Sequence, residues 1–307
     1  MKNKMTRDEI RAALTGPSGS VRTPFHRDGS VDYNGLRNVI DFNINGGSKT
    51  VLLTAGDSHY FALREQEIAE ITKVAVKHTA GRAMVVAADR YYGTSQAVEF
   101  AKYSRDVGAD ILMVMPPDWG HSITPASLVE HYAAVAKHIP IMMVTNVFIP
   151  RGKEFGLETL KLALEKVPGI VAVKDDFCGE FGRRMALLVH DRWAVYSGGL
   201  KQNHLDIHPY GCDGYLSTLT SFKPKIAHDY WKAIQSNNLP RAKEIIRKYE
   251  VPWFDFIVSL KGGFDAGIHG MLEIYGLAQR WRRKPYYSLT DAEMDRLRSC
   301  LKELSLL

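Results

Sequence analysis

The sequence predicts an α/β protein, a (β/α)8 TIM barrel with a C-terminal helical extension, and three observations carry that prediction. Eight short runs rich in Val, Ile, Leu and Met recur up to about Phe222, each followed by a helix-sized amphipathic stretch. Such runs read as strands buried on both faces, which parallel pairing with helices outside provides. No G-x-G-x-x-G follows the first run, which disfavours an open doubly wound sheet. Beyond Phe222 the strand pattern stops and only helical patterns remain.

In chain order the strands are expected at SGSVRTPF (Ser18 to Phe25), KTVLLT (Lys49 to Thr54), AMVVAAD (Ala83 to Asp89) and DILMVMP (Asp110 to Pro116). They continue at PIMMVTN (Pro140 to Asn146), IVAVKD (Ile170 to Asp175), WAVYSGG (Trp193 to Gly199) and DGYLSTL (Asp213 to Leu219). Between them VDYNGLRNVIDFNIN, REQEIAEITKVAVKH, TSQAVEFAKYSRDV and TPASLVEHYAAVAKH place apolar residues three and four apart, the period of a helix with one buried face. KIAHDYWKAIQ supplies the eighth helix, so the barrel is expected over residues 1–237 and the extension over 238–307. A chain of 307 residues suits one barrel of about 250 residues plus an extension.

Composition narrows the function classes. Forty Lys+Arg against thirty-four Asp+Glu give a net charge of +6, scattered without a long like-charge tract. Nucleic-acid binding is therefore not expected, and RWRRKP (Arg280 to Pro285) reads as a solvated helix end or a subunit contact. Cys178, Cys212 and Cys300 are odd in number and lack a C-x-x-C, so neither a disulfide framework nor a zinc site is indicated. No metal and no other cofactor is expected. The opening MKNKMTRDEIRAAL lacks the apolar core of a signal peptide, and no run of about eighteen apolar residues occurs. A cytoplasmic protein without membrane contact is the expectation.

Barrel chemistry sits at the C-terminal ends of the strands. Lys174 ends the sixth strand, followed at once by Asp175 and Asp176. A lysine there is most often a solvated cap. Facing the interior, a desolvated amine loses its proton more readily and can attack a carbonyl to form an imine. At the second strand end, Thr54, Ala55, Gly56 and Asp57 offer a hydroxyl and accessible main-chain amides suited to a carboxylate, or form a plain turn. Thr145 and Asn146 end the fifth strand, and Arg151 just beyond could hold a second acidic group or lie on the surface. Gly198 and Ser217, after strands seven and eight, are further substrate-binding candidates; their segments lie where many barrels bind phosphate.

With these residues in view, the chain resembles the family of dihydrodipicolinate synthase and N-acetylneuraminate lyase. TPFHRDGSVDYNGL resembles its opening strand, LTAGDSHYFAL stands at its G-[ST]-T-G-E-x-x-x-L signature, and GIVAVKDDF stands at its G-[IV]-x-[AG]-[IVL]-K-[DE] segment. The resemblance implies that Lys174 is the Schiff-base lysine and that Thr54, Ala55 and the backbone around Gly56 bind a 2-oxo-acid carboxylate. It also implies a homotetramer or homodimer. The family's strand-five tyrosine is replaced by Thr145, whose hydroxyl is a far weaker acid than a phenol. The signature glutamate is Asp57, and Pro117, Asp118 and Trp119 stand where the synthases carry a tyrosine pair. Thr145 is expected to hold a water or a substrate oxygen, with Asp118, Asp57, His59, Tyr60 and Asp176 as candidates to move protons. The expected function is a Schiff-base lyase, aldolase or dehydratase, acting on pyruvate or a sugar-derived 2-oxo acid. The alternatives are a 2-oxo-acid-binding paralogue or sensor without catalysis, the synthase itself, and a phosphate-binding barrel.

Overall fold

The computed structural model describes residues 5–307. Nine strand segments form one parallel sheet, and the first two are halves of a single barrel strand, β1, at Gly16–Ser18 and Ser20–Val21. The others are β2 (Thr50–Leu53), β3 (Met84–Ala88), β4 (Ile111–Val114), β5 (Ile141–Val144), β6 (Ile170–Asp175), β7 (Ala194–Ser197) and β8 (Gly214–Leu216). One half of β1 pairs with β8 and the other with β2, so the sheet closes on itself. The halves are parted at Gly19, where a Cβ would lie 2.4 Å from Ser221 Oγ and 2.6 Å from Asn43 Oδ1. Only glycine lets the strand approach that layer so closely.

The helices are α1 (Arg7–Leu14), α2 (Tyr33–Asn45), α3 (Glu65–Thr79), α4 (Thr94–Val107), α5 (Pro125–Ala136), α6 (Lys153–Lys166), α7 (Gly179–Val189), α8 (Lys201–Ile207) and α9 (Pro224–Gln235). The C-terminal helices are α10 (Leu239–Ile245), α11 (Val251–Ser259), α12 (Gly263–Ile274) and α13 (Asp291–Glu303), with a π-helical turn at Ile246–Glu250 between α10 and α11. Their packing follows from the patterns. In α3 the buried residues Ile68, Ile71, Thr72, Ala75 and Thr79 fall three or four apart, whereas β3 and β5 are buried at every position.

Two sequence expectations need correction. The sequence pattern puts the first strand at Ser18 to Phe25, but it begins at Gly16 and ends at Val21. Gly-Pro-Ser reads as a turn in isolation and is a strand here because β8 supplies its ladder. Phe25 instead makes an isolated antiparallel bridge with Val31 around a turn. Helix α1, which the pattern did not mark, begins at a Thr6–Glu9 capping box. Its Arg7 donates to Ile170 O and its Arg11 to Trp193 O, which fixes it across the N-terminal ends of β6 and β7.

The C-terminal helices add to the barrel's core. Trp253, Ile257, Met271, Leu297 and Leu301 belong to the same buried apolar cluster as the strands. Removing one such side chain as large as Trp253 would cost about 3–5 kcal/mol. No helix among the described residues is long and apolar enough to cross a membrane.

Candidate active site

Lys174 reaches the mouth of the barrel through an irregularity in β6. Pairing with β5 runs Ile141 to Ile170 and then Met142 to Ala172, so Val171 is an extra residue. The shift brings Lys174 opposite Val144 and, with Ala172, onto the inward face. Its amine is buried and donates to Asp176 Oδ1 at 2.5 Å. Lys174, Asp176, Val144, Gly198 and Leu216 line a cavity of about 230 Å³. The desolvated amine expected from sequence therefore has a carboxylate at its side. Burial holds the Asp176 carboxyl above the usual range, against the downward pull of the Lys174 charge. The pair depends on Gly198, where a Cβ would stand 1.9 Å from Asp176 Oδ1 and 2.5 Å from Lys174 Nζ.

Asp175, one residue away, points to the other face. Its Oδ1 accepts the Phe177 and Cys178 amides and the Thr145 hydroxyl, the last at 2.9 Å. The Thr145 oxygen in turn accepts the amides of Asp176 at 2.8 Å and Phe177 at 3.0 Å. The expectation that Thr145 holds a water or a substrate oxygen is thereby corrected. Its proton and its lone pairs are all engaged, it is fully buried, and it does not line the cavity. Thr145 is a positioning residue that fixes the backbone carrying Asp176.

The β2 loop supplies the opposite wall. Thr54, Ala55, Gly56 and Asp57 all line the cavity. Amides of Ser58, His59 and Tyr60 bond back to the carbonyls of Thr54, Gly56 and Ala55, and the first amides of such a turn have no acceptor within it. Thr54 Oγ1 is buried and has no hydrogen-bond partner in the protein. A hydroxyl in that state is a ready donor to a bound carboxylate. Asp57 lies 3.5 Å from the buried Arg22 guanidinium, which balances its charge.

Other expected residues are engaged elsewhere. Arg151 donates to Asp118 Oδ2 at 2.7 Å and to Ile123 O, with its guanidinium over the Phe155 ring. Neither Arg151 nor Asp118 lines the cavity, so the free guanidinium and the proton-moving carboxylate read from sequence are corrected to a partly buried ion pair. The Ser217 hydroxyl takes a hydrogen bond from Lys201 Nζ at 3.2 Å. That corrects its substrate-binding assignment to a part in the Lys201–Glu250 pair. His59 turns to Arg282, whose Nη2 is 2.9 Å from His59 Nε2, and Tyr60 is buried in the core with its phenol pushed up by desolvation. Neither reaches the cavity.

Residues 13–304 match the family described as the dihydrodipicolinate synthetase family. The chain belongs to that family. It is 26% identical to a 4-hydroxy-tetrahydrodipicolinate synthase of Dechloromonas aromatica, over 95% of this chain and 99% of that protein. It is 28% identical to a protein named Probable 5-dehydro-4-deoxyglucarate dehydratase from Bradyrhizobium sp., over 98% of this chain and 96% of the relative. Its fold is that of N-acetylneuraminate lyase from Fusobacterium nucleatum, with a TM-score of 0.84 at 17% identity over 95% of this chain and 99% of that one.

In this member of the dihydrodipicolinate synthetase family Thr145, not a tyrosine, stands at the end of β5, yet a phenol lines the cavity all the same. Tyr91, in the loop after β3, stands there beside Asn146, whose Nδ2 donates to the Tyr91 hydroxyl at 3.1 Å. The Phe61 ring stacks on Tyr91 with centroids 5.4 Å apart. Tyr91 has φ +49°, a left-handed backbone that costs a non-glycine residue roughly 1–2 kcal/mol. Arg90 Nη1 donates to Leu63 O and Tyr60 O, and Asp89 accepts the Met115 amide, so the loop is held on both sides. The only signal in the sequence was an aromatic doublet, Tyr91-Tyr92, just past an apolar strand.

Proposed function

We propose that this protein is a Schiff-base lyase acting on small 2-oxo acids that carry a hydroxyl two carbons beyond the carbonyl. The observation that carries the reading is the Lys174–Asp176 pair opening onto a cavity whose far wall presents the unpartnered Thr54 hydroxyl. The substrate carboxylate binds at Thr54 and the turn amides, which sets its carbonyl toward Lys174. Asp176 takes a proton from the ammonium, the neutral amine adds to the carbonyl, and Asp176 returns the proton to the departing hydroxyl. The products are a protonated imine and water.

The imine stabilises negative charge at the adjacent carbon, C3. Bonds at C4 then break, either C3–C4 in aldol cleavage or C4–O in loss of water. Relatives named as a dehydratase and as a synthase support chemistry of this kind. Because Asp118 neutralises Arg151, the site lacks a free guanidinium for a second carboxylate. The cavity of about 230 Å³ is below the roughly 300–1,000 Å³ usual for ligand pockets. Both features favour short monocarboxylates over diacids.

The test is a panel of 4-hydroxy-2-oxo monocarboxylates of four to six carbons beside the diacid 5-dehydro-4-deoxyglucarate, with products followed by NMR. Turnover of the monocarboxylates in preference to the diacid is expected, and the products distinguish cleavage from dehydration. Binding without turnover across the panel would instead support a non-catalytic 2-oxo-acid sensor.

A further inference from the structure

The strand-five tyrosine is absent, yet the Lys174 chemistry needs a group that moves protons at C3. We propose that Tyr91 is that group: a catalytic residue contributed by the loop after β3 rather than by β5. The inference rests on the Schiff-base reading above and adds to it the atom that carries the proton.

Four observations converge on the Tyr91 hydroxyl. It lines the same cavity as Lys174 and Asp176. Asn146 Nδ2 donates to its oxygen at 3.1 Å, which orients the oxygen while leaving its own proton available to donate. Asn146 itself follows Thr145, so the Thr-Asn pair at the end of β5 serves twice: Thr145 fixes the Asp176 backbone, and Asn146 fixes the phenol. Finally, Phe61 stacking and the Arg90 contacts hold the Tyr91 loop in its left-handed conformation. Burial raises the phenol above its ordinary range, the Asn146 hydrogen bond opposes this, and the charge of Asp176 adds to the rise. A neutral phenol whose acidity senses the Asp176 charge suits a relay better than a free-standing base.

The step balances without a further reactant. With the substrate held as the imine on Lys174, the Tyr91 oxygen takes a proton from C3 as its own hydroxyl proton passes to the Asp176 carboxylate. The C3–H electron pair enters the C2–C3 bond, and the imine becomes an enamine. Tyr91 ends neutral and Asp176 ends protonated. In the reverse direction the same two transfers return the proton to C3.

Pyruvate in D2O tests this without knowledge of the natural substrate, because an enzyme that interconverts imine and enamine exchanges the pyruvate methyl protons for deuterium. Native protein, Tyr91→Phe and Asn146→Ala are compared by loss of the methyl signal in proton NMR, and in parallel by borohydride trapping at Lys174. Tyr91→Phe keeps the Phe61 stack. It is expected to slow exchange by about 100-fold or more while trapping stays within about twofold of native. Asn146→Ala is expected to slow exchange by about tenfold. Exchange by Tyr91→Phe within about threefold of native would overturn the assignment, as would a native protein that traps pyruvate but exchanges nothing. Failure of the native protein to trap pyruvate would defeat the Schiff-base reading itself, and the relay with it. A role confined to holding the loop predicts equal losses of trapping and exchange, and that result too would count against the relay.

Discussion

Two lysines are buried near the mouth of this barrel, each beside a carboxylate, and their surroundings differ. Lys201 Nζ lies 3.2 Å from Glu250 Oε1, with the two side chains 1% and 4% exposed. Glu250 also accepts the Lys201 and Gln202 amides at the start of α8, and Lys201 donates to Ser217. Lys174 has the single carboxylate Asp176, at 2.5 Å, and lines an open cavity. One ammonium is closed in by satisfied partners; the other can exchange its partner for a ligand. Burial of an amine beside an acid therefore does not make a reactive group. Access and an exchangeable partner do.

The largest contrast is expected from removing each amine. Lys174→Ala should lower turnover by at least about 10³-fold with little change in melting temperature, since the imine cannot form. Lys201→Ala should leave Glu250 buried and uncompensated, at about 3–5 kcal/mol of stability by denaturant titration, while folded protein still forms an adduct at Lys174. If Lys201→Ala abolished trapping without unfolding the protein, the division between the two sites would be wrong.

A finer probe is Gly198→Ala. The new Cβ meets both Asp176 and Lys174, so it should part the pair, lowering turnover by about 10- to 100-fold at a stability cost of roughly 1–3 kcal/mol. Thr145→Val should cost about 1–3 kcal/mol, because the buried amides of Asp176 and Phe177 lose an acceptor, and turnover should fall only as far as Asp176 is displaced. Thr145→Ser should recover most of both losses.

The smallest effect is in pH dependence. Burial raises the Asp176 carboxyl, so as pH falls it takes up a proton earlier than an ordinary aspartate and can no longer accept one from Lys174. The rate of imine trapping should therefore show an acid limb above the ordinary aspartate value of about 4, absent in Asp176→Asn. The linkage to stability has the opposite sense. A raised folded-state value makes the native protein bind that proton more tightly than the unfolded chain, so the favourable contribution is full below about 4 and is lost as pH rises through the raised value. Stability measured from pH 4 upward should thus fall more in native protein than in Asp176→Asn.

What could be read in advance follows the range of the interactions. The strands were legible because a parallel barrel buries nearly every strand residue, all but Leu216 at the end of β8, and the pattern of β3 or β5 needs no partner to be recognised. Gly16–Ser18 was not, since only β8 makes it a strand. Lys174 stood out as a charge at the end of an apolar run. Which of Asp175 and Asp176 faces it depends on the extra residue at Val171 and on Thr145, thirty residues earlier. The pairing of Arg151 with Asp118, and of Lys201 with Glu250 forty-nine positions away, is fixed by packing between separate elements. Tyr91 was hidden for the same reason: its backbone is left-handed and its partner, Asn146, is fifty-five residues distant.

Borohydride trapping with pyruvate, followed by peptide mapping, tests the central claim most directly. One reduced pyruvate adduct is expected on Lys174 and none on Lys201. No adduct at all, or an adduct on Lys201 with Lys174 unmodified, would contradict it.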